Sequence, residues 1–177
     1  MSFDTSAGTR GGRPPAFSGP IGRWVQQLMM RQHRRSWKFQ GMDLLFLTTV
    51  GRKSGQERVT PLAWFPYDDG TWLIVASAGG SAQNPAWYRN VAAHPDRLRI
   101  ELRDKTVPVT AQQLSGPARE RAWEQIVAAQ PRYAKYQRKT DRELPVIRLV
   151  PVQPGSSPSS ARHGRGVARA ELGEDQG

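Results

Sequence analysis

The apolar residues of the chain fall into short runs separated by turn-forming residues, a pattern that predicts six β-strands. The clearest run is Arg97–Leu102, in which leucine or isoleucine occupies every second position and charged residues lie between them. A period of two is typical of a strand with one buried face. The six predicted strands are Leu44–Val50, Val59–Phe65, Thr71–Ala76, Arg97–Leu102, Val107–Leu114 and Pro145–Val152.

Three other stretches have helical patterns. In residues 21–37 apolar side chains recur every three or four positions and arginines occupy other faces, which predicts a basic amphipathic helix. The second and third carry a proline near their first turn, where proline is tolerated. Pro131 interrupts the third helix, and a polar segment with tyrosines, residues 133–143, follows it. The expected helices are residues 21–37, Asn84-Pro85 to about Val91, and a helix that opens at Gly116-Pro117.

The order of these elements, α-β-β-β-α-β-β-α-β, indicates the fold class. Most successive strands are joined by links of hairpin length, so we expect a mainly antiparallel sheet in an α+β protein. Six such strands favour a small closed or split β-barrel, with an N-terminal helix and two further helices. An alternating βαβ pattern, which would indicate a doubly wound fold, is absent from the sequence.

The two ends of the chain differ in composition from the middle. Residues 1–19 and 153–177 are rich in glycine, serine, proline, arginine and alanine and hold few large apolar residues. Such composition favours disorder, so we expect a disordered basic lead and a disordered tail. Residues 20–152 hold nearly all of the large hydrophobic side chains, which is enough for a single domain.

Composition and charge exclude several classes of protein and limit the kinds of partner that we expect. The 177 residues include no cysteine, which excludes a disulfide framework, a thiolate metal site and a cysteine nucleophile. No apolar run approaches the roughly 18 residues of a membrane span, and no apolar signal region follows the first arginines. We therefore expect an intracellular, cytoplasmic protein. The net charge of +11 predicts an anionic partner: a nucleic acid, a membrane surface or an acidic small molecule.

The basic helix expected over residues 21–37 has two interpretations. It either caps an open end of the core or lies on an anionic membrane, at the inner face of the cell membrane. Basic residues are concentrated in residues 1–40, which supports the second interpretation. The arginines follow no recognised nucleic-acid-binding motif, so a nucleic-acid partner is not expected.

The loop from Gly51 to Arg58 is the sharpest candidate for a binding site. Its two glycines let the backbone approach a ligand, and its three cations and one serine supply donors to a phosphate. It is not a Walker A loop, because the spacing differs and no helix is expected after it. The alternative is a solvated hairpin tip whose charges keep an edge strand soluble.

Three further clusters of residues are candidates for parts of a binding or catalytic site. The small residues from Ala76 to Gly80 let a flat ring lie against the backbone, or form an ordinary flexible loop. The aromatic residues of the stretch 84–90 belong either to the core or to the same site. Tyr133 and Tyr136 share a helical face and can bind or protonate a substrate, or lie at a surface. The three histidines have no plausible metal-ligand neighbours and no nucleophile motif appears, so chemistry here depends on a bound cofactor.

From Leu44 to Val152 the chain resembles the deazaflavin-dependent nitroreductases, also called F420H2-dependent quinone reductases. Five segments in the family's order carry the resemblance, and together they are far more specific than any one of them. The segments are T-T-V-G-R-K-S-G-Q-E-R-V-T-P-L (48–62), V-A-S-A-G-G (75–80), N-P-A-W-Y-R-N (84–90), Y-A-K-Y-Q-R-K-T-D-R (133–142) and P-V-I-R-L-V-P (145–151).

This resemblance implies a split β-barrel of the flavin-reductase-like kind that binds coenzyme F420, a deazaflavin with a phosphodiester and a glutamate tail. The implied reaction is hydride transfer from the reduced deazaflavin to a quinone, a nitroaromatic or a related electron-poor acceptor. Implied for the acceptor are the catalytic residues Ser77, Tyr133 and Tyr136. Implied for the cofactor are Arg52, Lys53, Ser54, Gly55, Arg58, Val59, Thr60, Pro61, Ala76, Ser77, Ala78, Gly79, Trp87, Tyr88 and Asn90.

The chain departs from the family pattern at two positions. Ala78 stands where family members often have lysine, which removes one contact to an anion. Gln130 stands where many have tyrosine, which alters the substrate wall and bears on nitroimidazole reduction. Two alternatives remain open: a split-barrel oxidoreductase that binds FMN, and a non-enzymatic protein that binds anionic surfaces. The sequence leaves the oligomeric state open.

Overall fold

A computed structural model of the protein describes residues 3–12, 37–39 and 41–152. The expected helix over residues 21–37 and its membrane contact lie outside the described residues, except for Trp37. The tail expected to be disordered, residues 153–177, also lies outside them.

Eight antiparallel strands form one curled sheet in the described part of the chain. The strands are β1 (Lys38–Phe39), β2 (Met42–Val50), β3 (Glu57–Ala63), β4 (Phe65–Tyr67), β5 (Thr71–Val75), β6 (Leu98–Glu101), β7 (Thr106–Gln113) and β8 (Val146–Pro151). Their spatial order is β1-β2-β6-β7-β8-β5-β4, and β3 lies off this path and pairs with β2. All six predicted strand segments are present, although their ends shift by a few residues.

An interruption of the strand at Trp64 lets the chain connect the two ends of the sheet. The single strand predicted over Val59–Phe65 is two strands, β3 before this residue and β4 after it. β3 pairs with β2 at one end of the sheet, whereas β4 pairs with β5 at the other. Because one short stretch of chain is bonded to both ends, the sheet curls into a split barrel, which confirms the predicted fold class.

Side chains from alternate positions of the strands form two separate cores. Leu45, Leu47, Ile74, Ile100 and Leu149 belong to a cluster that also holds Trp87 and Tyr88. The opposite faces of β2, β5 and β8 contribute to a second cluster with helical residues such as Ile126 and Tyr133. Each fully buried leucine or isoleucine contributes roughly 1.5–3 kcal/mol, so these two clusters supply much of the stability of the domain that carries the site.

Three helices are described: α1 (Ala86–Ala93), α2 (Gly116–Ala129) and α3 (Arg132–Lys139). The first two match the prediction. The third begins one residue before the polar segment 133–143, for which the sequence indicated a helical face shared by Tyr133 and Tyr136 but no helix bounds. Pro131 lies between α2 and α3, where its φ of −57° and its missing N–H are both tolerated at the start of a helix.

Residues 3–12, which the composition assigns to a disordered lead, lie along the domain; we call them the N-terminal strap. Its backbone N–H of Gly8 donates to the carbonyl of Ala82 at 2.8 Å, and Thr9 and Arg10 donate to the Asp141 carboxylate. For these residues the expectation of disorder is wrong. The strap is held mainly by backbone hydrogen bonds, which a reading based on apolar content does not detect.

Gly80 is a position where the fold requires glycine. Its φ is +84°, and a Cβ there would lie 2.7 Å from the Tyr136 carbonyl oxygen and 2.8 Å from the Lys139 Cβ. We expect Gly80→Ala to lower the free energy of unfolding by about 2–4 kcal/mol, because it adds both backbone strain and a clash with α3.

Chemical denaturation measures this loss. The matched control is Gly70→Ala, at a glycine with φ +70° but no atom within 4 Å of the added Cβ. Equal losses in the two variants would show that the close approach of α3 has no energetic role.

Candidate functional site

A cleft of about 330 Å³ lies between the barrel and α3. It brings together five predicted site residues: Pro61 from β3, Ser77 and Gly79 from the loop after β5, and Tyr133 and Tyr136 from α3. Six residues that were not predicted complete its wall, and they are mostly apolar: Met42, Leu44, Leu62, Ala63, Val75 and Arg132. The volume lies in the range of about 300–1,000 Å³ that is usual for small-molecule sites.

Tyr133 and Tyr136 form an aromatic pair on one side of this cleft. Their ring centroids are 5.8 Å apart in an edge-to-face arrangement, and Tyr133 also meets Phe65 at 5.5 Å. Tyr133 is only 6% exposed, and burial raises its pKa to about 12. Its phenol therefore stays protonated at neutral pH and retains a hydrogen to donate.

The cationic loop, residues 51–58, joins β2 to β3 and is anchored from beneath by Asn90 of α1. The Asn90 side-chain oxygen accepts the Arg52 backbone N–H at 3.2 Å, and its nitrogen donates to the Thr49 hydroxyl at 3.2 Å. Within the loop, the Gly55 N–H donates to the Gly51 carbonyl at 2.7 Å. The half-buried Asn90 therefore holds the backbone of the loop in place.

The cations of this loop are available to an anion. Arg52, Lys53 and Arg58 are exposed, and none of the three forms an ion pair with a described carboxylate. The neighbouring Glu57 instead pairs with Arg99 through two contacts of 2.6 and 2.7 Å. The local acid is thus neutralised by another strand, and the loop keeps its positive charge.

The turn after β5 has an unusual backbone. Ala78, Gly79 and Gly80 have φ values of +45°, +65° and +84°. An alanine in this left-handed region is uncommon and persists only where its surroundings fix it. Ser77 and Gly79 line the cleft on this turn, so the strained backbone sets where their atoms lie.

Arg142 fixes this turn from inside the protein. Its guanidinium donates to the carbonyls of Ala76, Ser77 and Ser81 at 2.9–3.0 Å and to the Asn84 side-chain oxygen at 3.0 Å. Arg142 is only 6% exposed, and burial lowers its pKa. Arg142 was not among the site residues predicted from the sequence, although it is the last residue of the 133–142 segment. Its burial, which indicates a role in the site, is visible only in the structure.

Several predicted cofactor residues lie beneath the surface. Trp87 and Tyr88 are buried in the barrel core, the alternative that their helical spacing left open, and Ala76 is also fully buried. The Tyr88 hydroxyl oxygen lies 2.6 Å from the Asp4 carbonyl oxygen and 2.6 Å from the Gln113 side-chain oxygen, and it donates its single hydrogen to one of the two. These three residues are not among those that line the cleft.

Other positions singled out from the sequence are not among the residues that line the cleft. Val59 and Thr60 lie on β3 and pair with Thr48 and Leu47. Gln130, one of the two departures, follows α2 and is not among the residues that line the cleft. In the described part of the chain, Gln130 therefore does not itself form the substrate wall.

The fold and these surfaces define a class: a split-barrel protein that carries both an exposed cationic loop and an apolar, tyrosine-lined cleft. A family model described as F420H(2)-dependent quinone reductase matches residues 23–151. The chain belongs to this family and is thereby an F420H(2)-dependent oxidoreductase.

Relatives and solved structures agree with this assignment. An F420H(2)-dependent quinone reductase of Mycobacterium tuberculosis is 41% identical over 110 residues, which cover 60% of this chain and 72% of the relative. A structure described as an F420-H2 dependent reductase is 42% identical, covers 60% of this chain and 92% of that one, and has a TM-score of 0.54. Another, described as a domain-swapped dimer, is 36% identical, covers 74% and 99%, and has a TM-score of 0.55.

Within residues 3–12, 37–39 and 41–152, no helix is long and apolar enough to cross a bilayer.

Proposed function

We propose that the protein reduces quinones with reduced coenzyme F420, and that the cleft between β3 and α3 receives the acceptor. The observation that carries this proposal is the convergence of Pro61, Ser77, Gly79, Tyr133 and Tyr136 on one cleft. These residues are separated by long stretches of sequence, and their meeting gives an apolar cleft a few polar groups, as small-molecule sites require.

The residues present fit the cofactor. Coenzyme F420 carries a phosphodiester and a glutamate tail, and the cationic loop offers three exposed cations that pair with no carboxylate of the described residues. Arg52, Lys53 and Arg58 would hold these anionic groups through charge-assisted hydrogen bonds. The turn from Ser77 to Gly79, which carries only small side chains, would accept the flat ring.

Reduced F420 supplies a hydride when it is bound, and the hydride with one proton converts a quinone to its quinol. The chain's own residues stabilise the negative charge that develops on the acceptor oxygen. Ser77 and the neutral phenol of Tyr133 are the donors for that oxygen. The apolar walls exclude water, which strengthens these hydrogen bonds.

Nitroaromatics and related enones are further acceptors of the same chemistry, since they also accept a hydride and develop negative charge on oxygen.

Contact of residues 21–37 with an anionic membrane stays a prediction. Cosedimentation with anionic liposomes, before and after removal of residues 1–40, tests it.

The test of the cofactor is a fluorescence titration of the purified protein with oxidised F420 and, separately, with FMN. We expect saturable binding of F420 in the micromolar range and no saturable binding of FMN. A preference for FMN would place the protein with the FMN-binding split-barrel oxidoreductases. Binding of neither cofactor would refute the proposed function.

We expect Tyr133→Phe to lower kcat for a quinone about tenfold, because it removes one hydrogen-bond donor from the acceptor site. The Kd for F420 should stay unchanged, since the aromatic ring still packs against Phe65. Steady-state kinetics together with the F420 titration measure both quantities. Unchanged turnover would remove Tyr133 from the role of donor.

A further inference from the structure

The N-terminal strap reaches both halves of the proposed cofactor site. At one end Phe3 packs on Tyr88 at 6.1 Å, and Phe3 and Thr5 share a surface cleft with Arg52 of the cationic loop. At the other end Gly12 forms a bridge with Ser81, just after the turn that carries Gly79. The strap therefore spans from the residues that would hold phosphate to those that would hold the ring.

A continuous set of hydrogen bonds connects the strap to Ser77. The Asn84 side-chain nitrogen donates to the Ser6 carbonyl at 3.0 Å, and its oxygen accepts from Arg142 at 3.0 Å. The same guanidinium donates to the carbonyl of Ser77 at 3.0 Å. Asn84 is 4% exposed, so these bonds form away from water, where a broken bond leaves polar atoms unpaired.

We propose that the N-terminal strap is a positioning element for the cofactor site: its docking orders the turn 76–82 through Asn84 and Arg142. This inference rests on the proposed function, because the turn is assigned to the cofactor ring. An undocked strap leaves Ser81 and Ala82 without their strap partners and lets the strained turn relax. F420 then binds only the fraction of molecules in which the strap is docked.

Two adjacent glycines allow a matched test in the full-length chain. A Cβ at Gly11 would lie 2.3 Å from the Ala82 nitrogen, and the φ of Gly11 is +147°. A Cβ at Gly12 meets nothing within 4 Å. Gly11→Val should therefore release the strap. Gly12→Val is the matched control, because it adds the same side-chain atoms to the strap without a clash.

The first measurement is amide hydrogen exchange of the ligand-free protein. In Gly11→Val we expect faster exchange both in residues 3–12 and in residues 76–84, and no change in Gly12→Val. The second measurement is the F420 titration, in which Gly11→Val should raise Kd about tenfold. A strap that only packs the terminus would show faster exchange in residues 3–12 alone, with exchange in 76–84 and Kd unchanged, and that result overturns the proposal.

A second variant covers the case in which Gly11→Val unfolds the protein. Asp141→Asn weakens the anchor of Thr9 and Arg10 without adding a clash, and it should produce the same coupled change in smaller amount. The two proposals fail separately. If the wild-type protein does not bind F420, the cofactor assignment fails, while coupled exchange between the strap and residues 76–84 still decides the role of the strap.

Discussion

Replacing Arg142 with methionine is expected to lower the free energy of unfolding by about 3–5 kcal/mol. The substitution fills much of the same volume but removes the donor to three carbonyls and to Asn84, all brought together by one buried guanidinium. Acceptors left unpaired in a buried site retain their full desolvation cost. Because a domain of this size has a stability of about 5–15 kcal/mol, the variant should be barely stable at 37 °C.

Thermal and urea denaturation measure this effect, and two variants control it. Arg142→Lys keeps the charge but not the planar fork of donors, so it should recover only part of the stability. Arg138→Met removes an exposed cation from α3 and should change stability by less than about 0.5 kcal/mol. Equal stability of Arg142→Met and the wild-type protein would show that the turn 76–82 does not depend on Arg142.

Removal of two cations from the cationic loop is expected to have the largest effect on cofactor binding. Charge-assisted hydrogen bonds contribute about 1.5–3 kcal/mol each, and exposure places these at the lower end of that range. We therefore expect the double variant Arg52→Ala/Lys53→Ala to raise the Kd for F420 about 100-fold. The loss should shrink at high ionic strength, since salt already weakens the wild-type interaction.

A change in net charge alone is controlled by a second double variant. Lys105→Ala/Arg121→Ala removes the same total charge from the β6–β7 turn and from α2, outside the cationic loop. It should leave the Kd within about twofold of the wild-type value. If both double variants weaken binding equally, the long-range field of the protein and not the loop attracts the cofactor.

The two halves of the candidate site differ in how far the sequence predicted them. The cationic loop is contiguous, so its glycines and cations are visible as a motif, and the structure places it at the β2–β3 hairpin. The cleft is not contiguous: Pro61 and Tyr133 meet only because β3 returns along β2 and α3 packs against the barrel. The apolar wall at Met42 and Leu44 was therefore not predicted, since in sequence it belongs to an ordinary strand.

The sequence by itself determined most of the strands, the antiparallel barrel, the cationic loop and the family, because strand alternation, turn residues and contiguous motifs are local signals. Only the tertiary structure decided which polar groups support the site. Arg142 donates to Ala76, 66 residues away, and Asp141 accepts from Thr9, 132 residues away. Hydrogen bonds of such separation leave no periodic trace in the chain, since their partners meet only when the sheet has closed and the strap has docked.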